Sequence, residues 1–138
     1  MKKNKAVSKL LESIPNNSFK KILEDKRGTV YYAKIENFGF NIIYTKRGGI
    51  RGADIHPNTQ YDLILKGEFE VWLKKDNKII KVKKYESELI SIPPGIPHLF
   101  ICLKDSVMIE WWDGKFEKKY FRPFVEVIES KFGVAKLS

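Results

Sequence analysis

GGIRGADIHPNTQYDLILKG, residues 48–67, is the stretch around which the rest of the chain is organised. It holds His56, one of the two histidines in the protein. A polar set, Asp54, His56 and Gln60, leads directly into the apolar run Leu63-Ile64-Leu65. The other histidine, His98, ends a second distinctive stretch, SIPPGIPH, residues 91–98. The expectation is a barrel that returns His98 to the side of His56.

Outward from this stretch the chain reads as short strands. Residues 19–25, 29–35 and 40–46 are strands, the second and third β-branched and aromatic, and Lys26-Arg27-Gly28 and Glu36-Asn37-Phe38-Gly39 are the turns between them. Past the polar set a strand runs to Lys66, and Gly67 permits a tight bend. Residues 68–75 follow with Phe69, Val71 and Leu73 on one face. Asp76-Asn77 has hairpin-turn chemistry. Further strands are expected at 78–84, 88–92, 98–103, 106–112 and 116–121, with turns at Lys104-Asp105 and Asp113-Gly114. Pro93-Pro94-Gly95 is a rigid loop, because proline lacks the N–H that a central strand must donate. Residues 6–13 have the spacing of a short helix. The tail from Pro123 has it too, through Phe124, Val127, Ile128 and Phe132. About ten strands with regular turn signals argue for an all-β fold, an antiparallel sandwich or barrel with short terminal helices.

A chain of 138 residues suits one domain, here 1–138 with a core of about 19–121, and can bury one substantial core. No run approaches the roughly 20 apolar residues of a membrane-spanning helix. The basic start MKKNKAVSKLLESIP lacks the apolar stretch of a secretory signal. The single cysteine, Cys102, excludes an internal disulfide and suits a reducing, cytoplasmic setting. The net charge of +9 is spread along the chain, without zinc-finger spacing or a helix-turn-helix pattern. The lysines are therefore expected on a solvated surface, with no nucleic-acid or membrane partner, and the charge remains compatible with a small anionic ligand.

Alternation picks out the residues that can do chemistry. Asp54 and His56 share a face of an extended segment, and Gln60 can rejoin it after the loop. His98, Phe100 and Cys102 share a face of the later strand, with Leu99, Ile101 and Leu103 opposite. Glu110 lies in phase with Met108 and Trp112. A carboxylate in so apolar a strand must find a partner or shift its pKa. Arg51 suits a clamp on phosphate or carboxylate, and Tyr44 and Tyr61 are candidate substrate contacts. Trp111 and Trp112 are expected in the core or a dimer contact. Cys102 is expected to line the pocket without acting as a nucleophile.

The spacing Gly48-x5-Asp54-x-His56-x3-Gln60-x6-Gly67 resembles the first cupin motif, and Pro93-x-Gly95-x2-His98 resembles the second. The motifs and the strands between them cover about half the chain. The resemblance implies a double-stranded β-helix and one divalent metal, iron, manganese or zinc, on Asp54, His56, Gln60 and His98; an empty pocket is the other outcome. The usual motif residues at these positions are His, His, Glu and His, so Asp54 and Gln60 depart from the pattern. The leading Gly and trailing Asn of the second motif would fall at Ser87 and Cys102. Arg51-Gly52-x-Asp54-x-His56 and Thr59-Gln60-Tyr61, with Gly67-Glu68-Phe69-Glu70-Val71 and Pro97-His98-x-Phe100, are similar to RmlC-like cupins of surface-sugar and nucleotide-sugar biosynthesis.

That narrower resemblance implies isomerase- or epimerase-type proton transfer on a carbohydrate or nucleotide-linked sugar, with His56, His98 and Glu110 as catalytic candidates and Arg51, Tyr44 and Tyr61 against the substrate. A metal-dependent dioxygenase or lyase is the first rival. A non-catalytic module that binds a sugar or small anion is the second. Cupins are often homodimers, so a homodimer is expected as well.

Overall fold

The computed structural model describes residues 18–132; the expected helix over 6–13 lies outside them. The elements are β1 Ser18–Asp25, β2 Gly28–Ile35, β3 Phe38–Thr45, β4 Ile50–Ile55, β5 Gln60–Lys75, β6 Lys78–Tyr85, β7 Leu89–Ile92, β8 His98–Trp112, β9 Lys119–Tyr120 and the helix α1 Arg122–Phe132. Every strand pairing is antiparallel. β8 is the spine. Along one edge it pairs with β5, from Gln60 opposite Trp112 to Leu73 opposite His98. Along its other edge it pairs first with β4 and then with β3. One long strand thus joins both halves of a curled sheet, and its first residue, His98, meets Asp54 of β4.

Two expected turns are absent as breaks. Gly67 does not end a strand, and Lys104-Asp105 does not end another; β5 and β8 run on through them. Both strands bend in step at this place, where their register shifts three times between Ile64 and Phe69. Gly67 has φ +104°, and a Cβ there would lie 1.9 Å from Ser106 Oγ. The glycine was legible. That its partner strand would bend with it depends on pairing across 38 residues, as in the bond from Glu68 N–H to Ser106 Oγ. The strand expected over 116–121 shrinks to Lys119–Tyr120.

The core is two-sided. Inside the barrel, Val30, Ile43, Ile64, Phe69, Val71, Phe100, Cys102 and Met108 pack together. Outside it, Phe124, Val125 and Ile128 of α1 cover Ile50, Ala53 and Leu99. Helical spacing puts these three on one face, and burying each contributes about 1.5–3 kcal/mol. The opposed faces of β8 are therefore both dry at Leu99 and Phe100, since α1 covers the outer one. Among the described residues, no helix is long and apolar enough to cross a membrane.

Candidate functional site

The site depends on a bulge. In β4 the pairing with β8 slips between Gly52 and Asp54. Gly52 and Ala53 both have positive φ, 97° and 66°. A side chain at Gly52 would meet the His98 carbonyl oxygen at 3.1 Å, so glycine is needed for both dihedral and space. Strict alternation would put Arg51 and Asp54 on opposite faces. The slip brings both to the barrel interior and sends Ala53 out beneath α1. The two loops carrying the histidines are joined directly, as the N–H of Gly95 donates to the carbonyl of His56 at 2.9 Å.

Asp54, His56 and His98 converge there, all buried, with one ligand atom from each within 4.8 Å of the others. Asp54 Oδ1 lies 2.8 Å from His98 Nε2 and 3.2 Å from His56 Nε2. Each ring turns its other nitrogen to a backbone carbonyl: His56 Nδ1 to Glu117 at 2.8 Å and His98 Nδ1 to Ile96 at 3.0 Å. With both Nδ1–H groups so engaged, a neutral ring presents its Nε2 lone pair to the carboxylate. Oδ1 is a buried acceptor without a satisfied hydrogen bond. A proton shared among these groups, or a cation between them, resolves this arrangement. Burial by itself would raise the Asp54 pKa, but the two imidazoles outweigh it and hold the group far below the usual carboxylate range. Burial would lower His56, and the contact with Asp54 outweighs that and raises it. Two imidazoles and one carboxylate with carbonyl-fixed tautomers suit a divalent cation.

A second polar cluster borders the same cavity. Gln60 Nε2 donates to Asp62 Oδ2 at 2.7 Å and to Glu110 Oε2 at 3.0 Å. Asp62 and Glu110 face each other across the β5–β8 ladder. Asp62 is fully buried, and burial together with the Glu110 carboxylate pushes its pKa well up. Asp62 escaped the sequence reading although it offered a signal: it lies two residues past Gln60, a carboxylate next to an apolar run. Gln60 lines the cavity with its amide nitrogen committed to these carboxyls and its Oε1 buried without a partner.

Both clusters border a cavity of about 790 Å³. Glu110, Arg51, His56 and His98 line it, together with Trp112, Phe116 and Lys118. Tyr44 and Tyr61 are not on its wall. Tyr44 is 37% exposed, and Tyr61 stacks on Trp111 at 5.5 Å between ring centres. Trp111 and Trp112 separate, as neighbours in a strand must. Trp112 enters the cavity with its ring 5.2 Å from that of His56. Phe116, 5.6 Å from His56, was not anticipated because it belongs to the loop 113–118. That loop is pinned to the 56–59 segment by Asn58 on the Lys115 carbonyl and by Thr59 N–H on Asp113 Oδ1. Cys102 hydrogen-bonds the Lys104 carbonyl at 2.8 Å, and burial raises its pKa, so it is a poor nucleophile.

No protein-family model and no curated protein sequence matches this chain. Solved structures do. The capsular polysaccharide assembling protein CapF from Staphylococcus aureus superposes with a TM-score of 0.65 at 20% identity, over 75% of this chain and 34% of its own. Oxalate decarboxylase from Bacillus subtilis superposes with a TM-score of 0.66 at 20% identity, over 86% of this chain and 36% of its own. The fold is that of a cupin. The cupin barrel formed here spans about a third of the length of either structure. Its two histidines sit where the motif spacing placed them, side by side with ring centres 5.2 Å apart.

Proposed function

We propose that this cupin holds a divalent metal on Asp54, His56 and His98 and moves a carbon-bound proton on a sugar, with nucleotide-linked sugars as the leading class. The metal reading is carried by one observation: an unsatisfied carboxylate oxygen faces two Nε2 atoms whose partner nitrogens are tied to carbonyls. When bound, such a metal polarises a substrate oxygen and acidifies the adjacent C–H. Iron, manganese and zinc all accept this donor set.

Glu110 is the cavity's acid–base group. It faces the open space, while Asp62 behind it keeps its proton to higher pH than an ordinary carboxyl. Gln60 fixes the orientation of both. Trp112 and Phe116 form an apolar cover beside His56 that limits water. A carbohydrate substrate is supported by the sugar-biosynthesis resemblance of residues 51–71 and by the description of CapF as a capsular polysaccharide assembling protein.

The purified protein is expected to carry stoichiometric divalent metal, measured by elemental analysis and lost in His56→Ala. Exchange of a carbon-bound proton in deuterated water is expected with a nucleotide-linked ketosugar, and Glu110→Gln should abolish it with the metal retained. Absence of metal after reconstitution overturns the metal assignment. Bound metal without exchange across a panel of such sugars overturns the reaction.

A further inference from the structure

Among the described residues, the buried side-chain atoms without a hydrogen-bond partner are Arg51 Nη1, Asp54 Oδ1, Gln60 Oε1, Asp62 Oδ1 and Trp112 Nε1. Arg51 and Asp54 belong to charged groups, and Asp62 lies off the cavity wall. Gln60 and Trp112 differ from these. Both are neutral, both line the cavity, and they are direct partners on the β5–β8 ladder. Partners in an antiparallel pair have Cα atoms about 5 Å apart and side chains on one face. Gln60 leaves an acceptor open and Trp112 a donor, yet neither bonds the other.

Turning the amide over does not remove this mismatch. Nε2 spends one N–H on Asp62 Oδ2 at 2.7 Å and the other on Glu110 Oε2 at 3.0 Å. A turned amide would set its oxygen against those two carboxyls, so Oε1 is fixed as the open acceptor. The indole nitrogen can only donate. Its ring is held between His56 and Phe116, with centres 5.2 Å and 4.5 Å away, which fixes where the N–H points. Buried groups left open in this way cost stability. Keeping both at a cavity wall, already oriented, suits a ligand that satisfies both.

One chemical group meets both demands. A hydroxyl accepts from Trp112 Nε1 through a lone pair and donates its own proton to Gln60 Oε1. An ionised carboxylate, an ether and a carbonyl have no proton to give. Water makes the same two bonds, and a ligand hydroxyl displaces it without losing either. We infer that Gln60 and Trp112 together select a sugar hydroxyl close to the reacting carbon, because the Trp112 ring stands against His56 of the cation site. This rests on the reading of the cavity as a sugar site. The amide that reads the hydroxyl also holds Glu110, so recognition sits beside the acid–base group.

The test is calorimetric titration of the full chain with uridine and thymidine diphosphate glucose, and with counterparts in which one sugar hydroxyl at a time is replaced by hydrogen or by fluorine. One position should stand out, its deoxy compound binding about tenfold or more weakly than the parent, because both wall groups are then left unpaired. Fluorine there accepts weakly and donates nothing, so it should bind like the deoxy compound. In nuclear magnetic resonance spectra, one of the three indole N–H signals, the one missing in Trp112→Phe, should shift with the parent and stay in place with that deoxy compound. Trp112→Phe keeps the ring and should shrink the discrimination, with circular dichroism and metal content unchanged. Equal binding of all deoxy compounds by the unaltered protein, or no uptake of either parent, overturns the inference without recourse to a variant. Full binding of the fluoro compound, or discrimination that survives in folded Trp112→Phe, also overturns it. Hydroxyl discrimination in protein that exchanges no carbon-bound proton would refute the proposed reaction and leave this inference standing.

Discussion

Asp54 and Asp62 are both buried carboxyls in one barrel, 5% and 0% exposed, and their proton affinities move in opposite directions. Burial penalises the charged form of each. Asp54 faces two imidazoles and is held as a carboxylate. Asp62 faces Glu110, another carboxyl, and is held as an acid. Burial pushes both toward the acid form; the two imidazoles reverse that push at Asp54, whereas the Glu110 carboxylate adds to it at Asp62. The cavity has one wall arranged to receive a cation and another that retains a proton.

The sharpest way to break this comparison is at the first wall. Asp54→Asn keeps the shape and removes the charge. Divalent-metal affinity should fall by about 100-fold or more, read by competition with a chelating dye, because a ligand is lost where even supporting groups are worth 10–100-fold. Unchanged affinity would place the metal elsewhere. Next is the tie across the second wall. Gln60→Leu leaves both Asp62 and Glu110 without the amide donor, and denaturant unfolding should show a loss of about 2 kcal/mol.

The opposite shifts also predict opposite pH signatures in metal-free protein. The folded-state pKa of Asp62 is raised. Its contribution is therefore complete below the unfolded value of about 3.9 and is lost as pH climbs through the folded one. Asp62→Asn should flatten that decline, with a gain of about 1 kcal/mol at the alkaline end. The folded-state pKa of Asp54 is depressed, so its contribution is present above about pH 4 and is lost on acidification. An Asp62→Asn protein whose stability still falls on the alkaline side would show that the two carboxyls are not distinguished as described. The smallest effect is expected at Asn58→Ala, which loosens the 113–118 loop whose Glu117 carbonyl orients His56. Metal affinity should drop by about threefold to tenfold with little change in stability.

Much of this was legible in residue order. Motif spacing put His56 and His98 together, alternation put Phe69 and Val71 in the core, and helical spacing with Pro123 described α1. The bulge was not legible. It needs a positive φ at Ala53, and alanine carries no sign of one. The fusion of β5 and β8 was hidden because Gly67 and Ser106 meet only across the sheet. Asp62 was overlooked for a similar reason. Its meaning comes from Glu110, 48 positions later, and only strand register makes them opposite.

The sequence by itself determined the all-β class and the meeting of His56 with His98, because these follow from local alternation and from motif spacing. Only the tertiary structure decided what the groups of the pocket are to one another. A one-residue slip in β4 turned Arg51 and Asp54 to the same side, and the β5–β8 ladder set Asp62 against Glu110. Proton affinity and unpaired charge depend on distances between residues remote in the chain, and those distances exist only once the sheet has curled.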